Sequence, residues 1–349
     1  MLLLAVALAA GFGCGGSSGE TTDWTAYPVP PGVTYATGTL VEVAHATIDA
    51  AGGTLAAPEG SALAGVVVTF PAGAVTGPTS FTLAADEGGQ FTNADPDEHP
   101  VVLSITSDGQ REFARPIQVT FPFPDATRFP VAYLVREGDG TLEVMAPLPL
   151  DRAAGRGGFV TYHLSPFAIF DPTDPRSDDA HRAKYTAFSG FLPALDGFAI
   201  RNNADEEYTP AGRCQGMATF ARWYKTDRGG GLAKKYPANV PTKTLKDVIT
   251  GAPNPALPAQ EVVSIRAQIA TNRKAPAPGG ATPEHPEGPS LSDNLVTLLH
   301  ALQTQPGGVL MGLTNAKYEI GHVVVAVGAN EGKIGVYDPN APGKTKEIA

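Results

Sequence analysis

The sequence predicts a multidomain chain, an all-β sandwich followed by an α+β domain, on three observations. Between residues 40 and 172, short β-rich runs such as "GVVVTF", "TSFTLAAD", "VVLSITSD" and "PIQVTF" alternate with Gly, Pro and Asp turns, the texture of a sandwich. Residues 173–184 are polar and charged, with Pro175 among them, as a connection between domains would be. From residue 185 onward the pattern changes to helical periods followed by a late hairpin. A chain of 349 residues that is 42% hydrophobic can bury a core in each of two domains.

The runs of the first domain punctuate themselves. Pro71 and Pro122 each end a β-rich run, where a missing N–H costs least. "EGDG" at 137–140 marks a hairpin reversal before "TLEVM". Residues 20–39 ahead of them are Pro-rich without a sustained period and are expected to be a linker.

In the second domain, "TPAGRCQGMATFARWYKT" places Cys214, Met217, Ala218 and Ala221 on one helical face, with Cys214 in the first turns. "DRGGG" at 227–231 is a helix stop and turn. Further helices are expected at about 259–272, between loops at 241–260 and 274–290, and at 292–303. The last has Ser292 as its cap and Leu295, Leu298, Leu299 and Leu302 as its buried stripe. "GVLMGLT" and "GHVVVAVGANEGKIGVYDPNAPG" then read as strands, the second a hairpin reversing at "ANEG".

That hairpin carries the chemistry. Alternation puts His322, Val324 and Ala326 on one face, and folding about residues 330–331 brings Asp338 or Asn340 across from His322. A carboxylate or amide holding one imidazole nitrogen leaves the other to take a proton from a thiol. Cys214, early on its helix, gains thiolate character from the positive helix end and a neighbouring imidazolium. These are the parts of an acyl-transfer site with Cys214 as nucleophile, His322 as base and Asp338 or Asn340 as orienter.

Composition narrows the alternatives. The net charge of -10 and the lack of a basic stripe exclude an electrostatic nucleic-acid binder. The histidines are scattered, and neither a Cys-x-x-Cys, a His-Glu-x-x-His nor a P-loop occurs, so no metal and no cofactor is expected. Gly and Pro together make about a fifth of the chain, below the ~25–30% of low-complexity disorder.

Residues 1–19 combine an apolar run, too short for a membrane span, with a Gly/Ser tether. "GFGC" at 11–14 resembles a bacterial lipoprotein signal, which implies export, lipidation at Cys14, and an anchor in the cell envelope, or secretion if the signal is plain. With Cys14 lipidated, Cys214 has no disulfide partner, because the chain holds only two cysteines.

Two further resemblances follow from quoted residues. "GGTLAAPEGSALAGVVVTFPAGAVTGPTSFTL", "REFARPIQVTFPFP" and "YHLSPFAIF" together resemble the bacterial form of the zonula-occludens/ankyrin (ZU-type) β-sandwich. In some relatives a His-Phe-Ser triplet cleaves its own backbone, which makes His163 and Ser165 a candidate self-cleavage pair, with a strand end and turn as the plainer reading. The Cys-helix, "GHVVV" and "YDPNAPG" series resembles papain-like cysteine peptidases, particularly the bacteriocin-processing type, over 185–349. It implies Cys214 as nucleophile, His322 as base and then acid, and Asp338 or Asn340 as orienter. That family carries an oxyanion Gln shortly before the Cys. None is found here, so Asn202, Asn203 or Gln215 are the candidates, beside the Cys214 N–H. The implied activity is an exported thiol hydrolase acting on a peptide or amide in the envelope or outside. The alternative is a non-catalytic surface-binding or adhesion protein with a degenerate copy of this domain.

Overall fold

The computed structural model describes residues 4–7, 22–123, 125, 127–174, 185–202, 213–236, 238, 291–314, 320–330 and 332–348. The chain is β-rich, with several sheets and few helices. Its described residues fall into two compact units, 31–174 with 291–305, and 22–30 with 185–238 and 306–348.

The first unit is made of two antiparallel sheets sharing one core. One sheet orders its strands Leu142–Val144, Val131–Val135, Pro166–Phe170, Val101–Ser107, Thr79–Glu87 and Thr39–Ile48. The other orders Arg156–His163, Glu112–Pro122, Val67–Phe70 and Gly53–Ala56. Alternation does the sorting: Phe81, Leu83, Leu103 and Ile105 of the first sheet and Val68, Phe70, Ile117, Val119 and Phe159 of the second enter the same core. Ring pairs join the layers, Phe70 to Phe81 at 4.4 Å and Phe159 to Phe167 at 4.9 Å. The proline punctuation and the reversal at 137–140 stand where the sequence places them.

Helix Leu291–Thr304 groups with this unit, although a boundary at residue 185 assigns it to the second domain. The apolar stripe is only half of the reason. Leu298 and Leu302 are buried, but Leu295 and Leu299 are half-exposed, and polar Asn294, Thr297, His300 and Thr304 are buried in their place. The His300 ring nitrogens face the Tyr133 hydroxyl and, at 3.0 Å, the Glu98 carboxylate, while the Thr304 hydroxyl donates to Tyr133 at 3.0 Å. Leucine periodicity sees the helix and misses this polar anchor, because partners distant in sequence satisfy it.

The second unit centres on an antiparallel run of strands Val309–Thr314, Ile320–Asn330, Lys333–Tyr337 and Thr345–Ile348, with Ala187–Phe188 also paired to Ile320–Asn330. Helix Cys214–Arg228 packs on the middle strands and buries Met217, Ala218 and Ala221, the face expected from its period. Its last turn carries Lys225 and Arg228, and Gly229, at φ 79°, caps it. Lys225 bonds the buried Asp196 at 2.9 Å, and Asp196 also accepts the N–H groups of Leu192 and Gly231, so the helix end is tied to two loops.

The expected linker at 20–39 is not a free tether. Thr34–Ala36 pairs with Gln90–Thr92 in the first unit. Residues 22–30 join the second unit, where Trp24 is 4% exposed and lies over Gly328 and Gly335 of adjacent strands. A Cβ on either glycine would come within 2.6 Å of the indole, so side-chain-free strand positions make its slot. Tyr27 accepts from Asn330, and the Thr22 N–H donates to Glu347 at 2.7 Å. A Pro-rich composition hides this, because one large ring does the docking.

Trp24→Ala is expected to destabilise the second unit by about 3–5 kcal/mol, the usual cost of emptying a buried aromatic site. Urea unfolding followed by hydrogen exchange at Val323–Val327 measures it. An unchanged midpoint would show that residues 22–30 add nothing to that sheet.

Candidate active site

Cys214 is the first residue of its helix and is half-buried. The helix starts there because Arg213 stands as its cap in a non-helical conformation, following "TPAG". The first-turn N–H groups have no acceptor inside the helix, so the thiol lies at its positive end.

The histidine strand and its partner fold back with a register change. Asn330 pairs with Lys333, Ala329 with Ile334 and Gly328 with Gly335, then Ala326 pairs with Val336 and Val325 with Tyr337. Val327 is therefore the extra residue of a bulge, with its carbonyl accepting the Ser189 N–H at 2.8 Å. Continued past Tyr337, this register sets Asp338 across from Val324 and Asn340 across from His322. Both then share the His322 face. Tyr337 fixes the strand end: its ring is fully buried against Phe191, and its hydroxyl accepts the Phe198 N–H at 2.9 Å.

His322 Nε2 lies 2.6 Å from Asp338 Oδ1 and 3.2 Å from Asn340 Nδ2. The ring also interacts with the Cys214 thiol, and with Nε2 facing Asp338, Nδ1 is the nitrogen left for the sulfur. The His322 and Asp338 side chains are 17% and 21% exposed, so the pair is shielded yet open to solvent on one side.

Burial pushes the Cys214 thiol up, but the His322 hydrogen bond and charge outweigh it. Together with the N–H groups of Val323 and Gln215 they hold it below the usual thiol range. Burial likewise pulls His322 down, and bonds to Asp338 and Cys214 with the charges of both lift it to about 9. Burial raises Asp338, while His322, the Asn340 N–H and the charge of Lys346 keep it below the ordinary carboxylate value. The three shifts run in the same sense, each favouring the charged form: thiolate, imidazolium and carboxylate.

Of the oxyanion candidates, Asn202 links three parts of the site. Its Oδ1 accepts the Arg213 N–H, its Nδ2 donates to Asn340 Oδ1 at 3.1 Å, and its own N–H donates to Pro339 O at 2.9 Å. Its oxygen and one N–H of its NH₂ are thus engaged inside the site, and the second N–H is its remaining donor. Gln215 follows the thiol and offers it a backbone N–H. Asn203, Cys14, the helix at 259–272 and the loops at 241–260 and 274–290 lie outside the described residues. His163 ends its strand at a bulge, half-buried, with its N–H and carbonyl both bonded to Thr161 Oγ1, and Leu164 beside it is buried. Among the described residues only Asn93 departs to positive φ without being glycine, so the His163–Ser165 backbone carries no such strain.

Sequence reasoning missed three contributors: the Val327 bulge, the Val323 N–H and the linking role of Asn202. Two glycines in one hairpin, Gly328 and Gly335, were the available sign of the first. The others depend on backbone positions that side-chain pattern does not encode. Among the described residues no group of three or more His, Cys, Asp or Glu is arranged to hold a metal, and no helix is long and apolar enough to cross a membrane.

No protein-family model matches the chain, and no curated protein matches it in sequence. The arrangement itself is what bears on function.

The thiolate exists above the lowered Cys214 value, and the imidazolium below about 9. Alkylation of Cys214 by iodoacetamide near pH 6 is therefore expected to be faster than that of an ordinary thiol of pKa ~8.5, which is mostly protonated there. His322→Ala removes the main opposition to burial, raises the thiol, and is expected to cut the rate at that pH by roughly 3-fold for each unit of the rise. Equal rates for both proteins across the pH range would rule out the ion pair.

Proposed function

We propose that this chain is a thiol hydrolase acting on amide bonds, a papain-like α+β domain carried behind a ZU-type β-sandwich. It is exported and held in the bacterial envelope by a lipid on Cys14. The observation that carries the catalytic reading is His322, set between the Cys214 thiol and the Asp338 carboxylate at a helix N-terminus. The lipoprotein-like start and the lone remaining thiol support the location.

The reaction balances on these groups. The thiolate attacks the carbonyl carbon, a C–S bond forms, and the oxygen takes the negative charge. Collapse breaks the C–N bond, and the amine leaves with the imidazolium proton. A water that gives its proton to the neutral imidazole then attacks the thioester, and the thiolate is released with the imidazole again protonated. Asp338 accepts the Nε2–H throughout and fixes the ring. The oxyanion falls to the Cys214 N–H, with the second Asn202 Nδ2–H as the side-chain candidate.

The engagement of Asn202 with Arg213 and Asn340 also favours the second reading, a non-catalytic surface-binding copy of the fold that keeps the three groups. Hydrolysis of internally quenched peptides and of purified peptidoglycan, followed by product mass, separates the two. The enzyme reading expects turnover that falls by at least about 10³-fold in Cys214→Ala and in His322→Ala. No turnover on either substrate class, with rapid alkylation of Cys214 retained, would favour the inert copy. Peptide, stem-peptide amide and isopeptide bonds all ask for the same three groups.

A further inference from the structure

The amide directions around His322 form a closed circuit. The Arg213 N–H is a donor in every protonation state, so the Asn202 atom facing it is the carbonyl oxygen. The Asn202 NH₂ then faces Asn340, whose oxygen must accept it, at 3.1 Å. The Asn340 NH₂ is thereby turned toward His322 Nε2, at 3.2 Å. In the imidazolium Nε2 bears a hydrogen, and two donors facing each other cannot bond. Asp338 Oδ1, at 2.6 Å from Nε2, is left to accept that hydrogen, and the Asn340 backbone N–H steadies the same oxygen at 2.7 Å.

From this circuit we infer that Asn202 is a positioning residue: by fixing the direction of the Asn340 amide it assigns His322 to Asp338. The inference rests on the thiolate–imidazolium reading above. It explains why Asn202 sits beside Arg213, the residue before the nucleophile, and is tied by its own N–H to Pro339, between the two candidate orienters. One side chain sets the distance between the nucleophile's helix and the orienter's loop, and also decides which of Asp338 and Asn340 holds the ring.

The isosteric Asn202→Asp tests it. The introduced carboxylate still accepts the Arg213 N–H but offers no donor to Asn340, whose amide then turns its NH₂ to the carboxylate and its oxygen to Nε2. The readout is the iodoacetamide rate at Cys214 near pH 6, which needs no substrate and so does not depend on hydrolysis being detected. In the otherwise wild-type protein Asp338→Ala is expected to slow labelling by about 30-fold, in the range for partners that orient a functional imidazole. In the Asn202→Asp background the same change is expected to cost about 3-fold or less, and adding Asn340→Ala restores the full loss.

Equal cost of Asp338→Ala in both backgrounds, or a rescue that survives Asn340→Ala, would overturn the inference. Should Asn202→Asp fail to fold, single variants decide it: Asp338→Ala must slow labelling several-fold more than Asn340→Ala, and equal costs overturn it. A wild type that labels no faster than His322→Ala would remove the ion pair, and this inference falls with it. That outcome is distinct from an intact ion pair with additive Asp338 and Asn202 effects, which leaves the catalytic reading standing.

Discussion

One extra residue in a hairpin controls whether Asp338, Asn340 and His322 meet at all. Without the bulge at Val327, the turn register of Asn330 with Lys333 would run on unchanged, and Asp338 and Asn340 would lie across from Val325 and Val323. They would then occupy the sheet face opposite His322. The bulge moves the partner strand by one residue and brings carboxylate, amide and imidazole to a single face. Its supports surround it: the Val327 carbonyl takes the Ser189 N–H, its side chain is fully buried, and Gly328 next to it gives room to Trp24. The docking of residues 22–30 and the register of the hairpin are thus parts of one arrangement.

The charges brought together would be costly if they were not mutually satisfied. For Cys214, His322 and Asp338 alike, burial is the largest single influence and acts against ionisation. Ionisation prevails because each group meets an opposite charge and a hydrogen bond together, which is the condition under which a shielded ion pair recovers its desolvation cost. Removing His322, the shared member, leaves the thiol and the carboxylate shielded and unmatched. Helix position adds a share, since the first-turn N–H groups favour negative charge on the sulfur.

Much of this was legible in the sequence, for reasons that differ by residue. Period-two runs and prolines give the strands of the first unit, and the Met217, Ala218 and Ala221 face gives the nucleophile's helix, because burial patterns are local. His322 and Asp338 were readable as neighbours from equal parity across a hairpin, an argument that holds only because the bulge cancels the odd register of the turn. Trp24 in its glycine slot and His300 against Tyr133 and Glu98 were not readable, since each depends on groups far along the chain. Asn202 was recognised as part of the site, but not its link to Arg213 and Asn340. Residue type says that an amide can donate and accept, and only the fold says to which partners.

The backbone donors on the sulfur raise a question of balance that the geometry answers. Val323 and Gln215 N–H groups stabilise the thiolate before any substrate is bound, and a more stable thiolate is a poorer nucleophile. With a Brønsted slope of about 0.4–0.5, each unit of lowered pKa costs roughly 3-fold in intrinsic reactivity but gains up to about 10-fold in thiolate population while the pKa exceeds the working pH. Lowering it is therefore favourable down to the ambient pH and unfavourable beyond. Shielding of the thiol opposes the downward pull of His322 and the two N–H groups, and so limits how far the value falls. The partial burial of Cys214 is thus a brake on the same ion pair that activates it. A site more open to water would lose that brake together with the strength of its electrostatics.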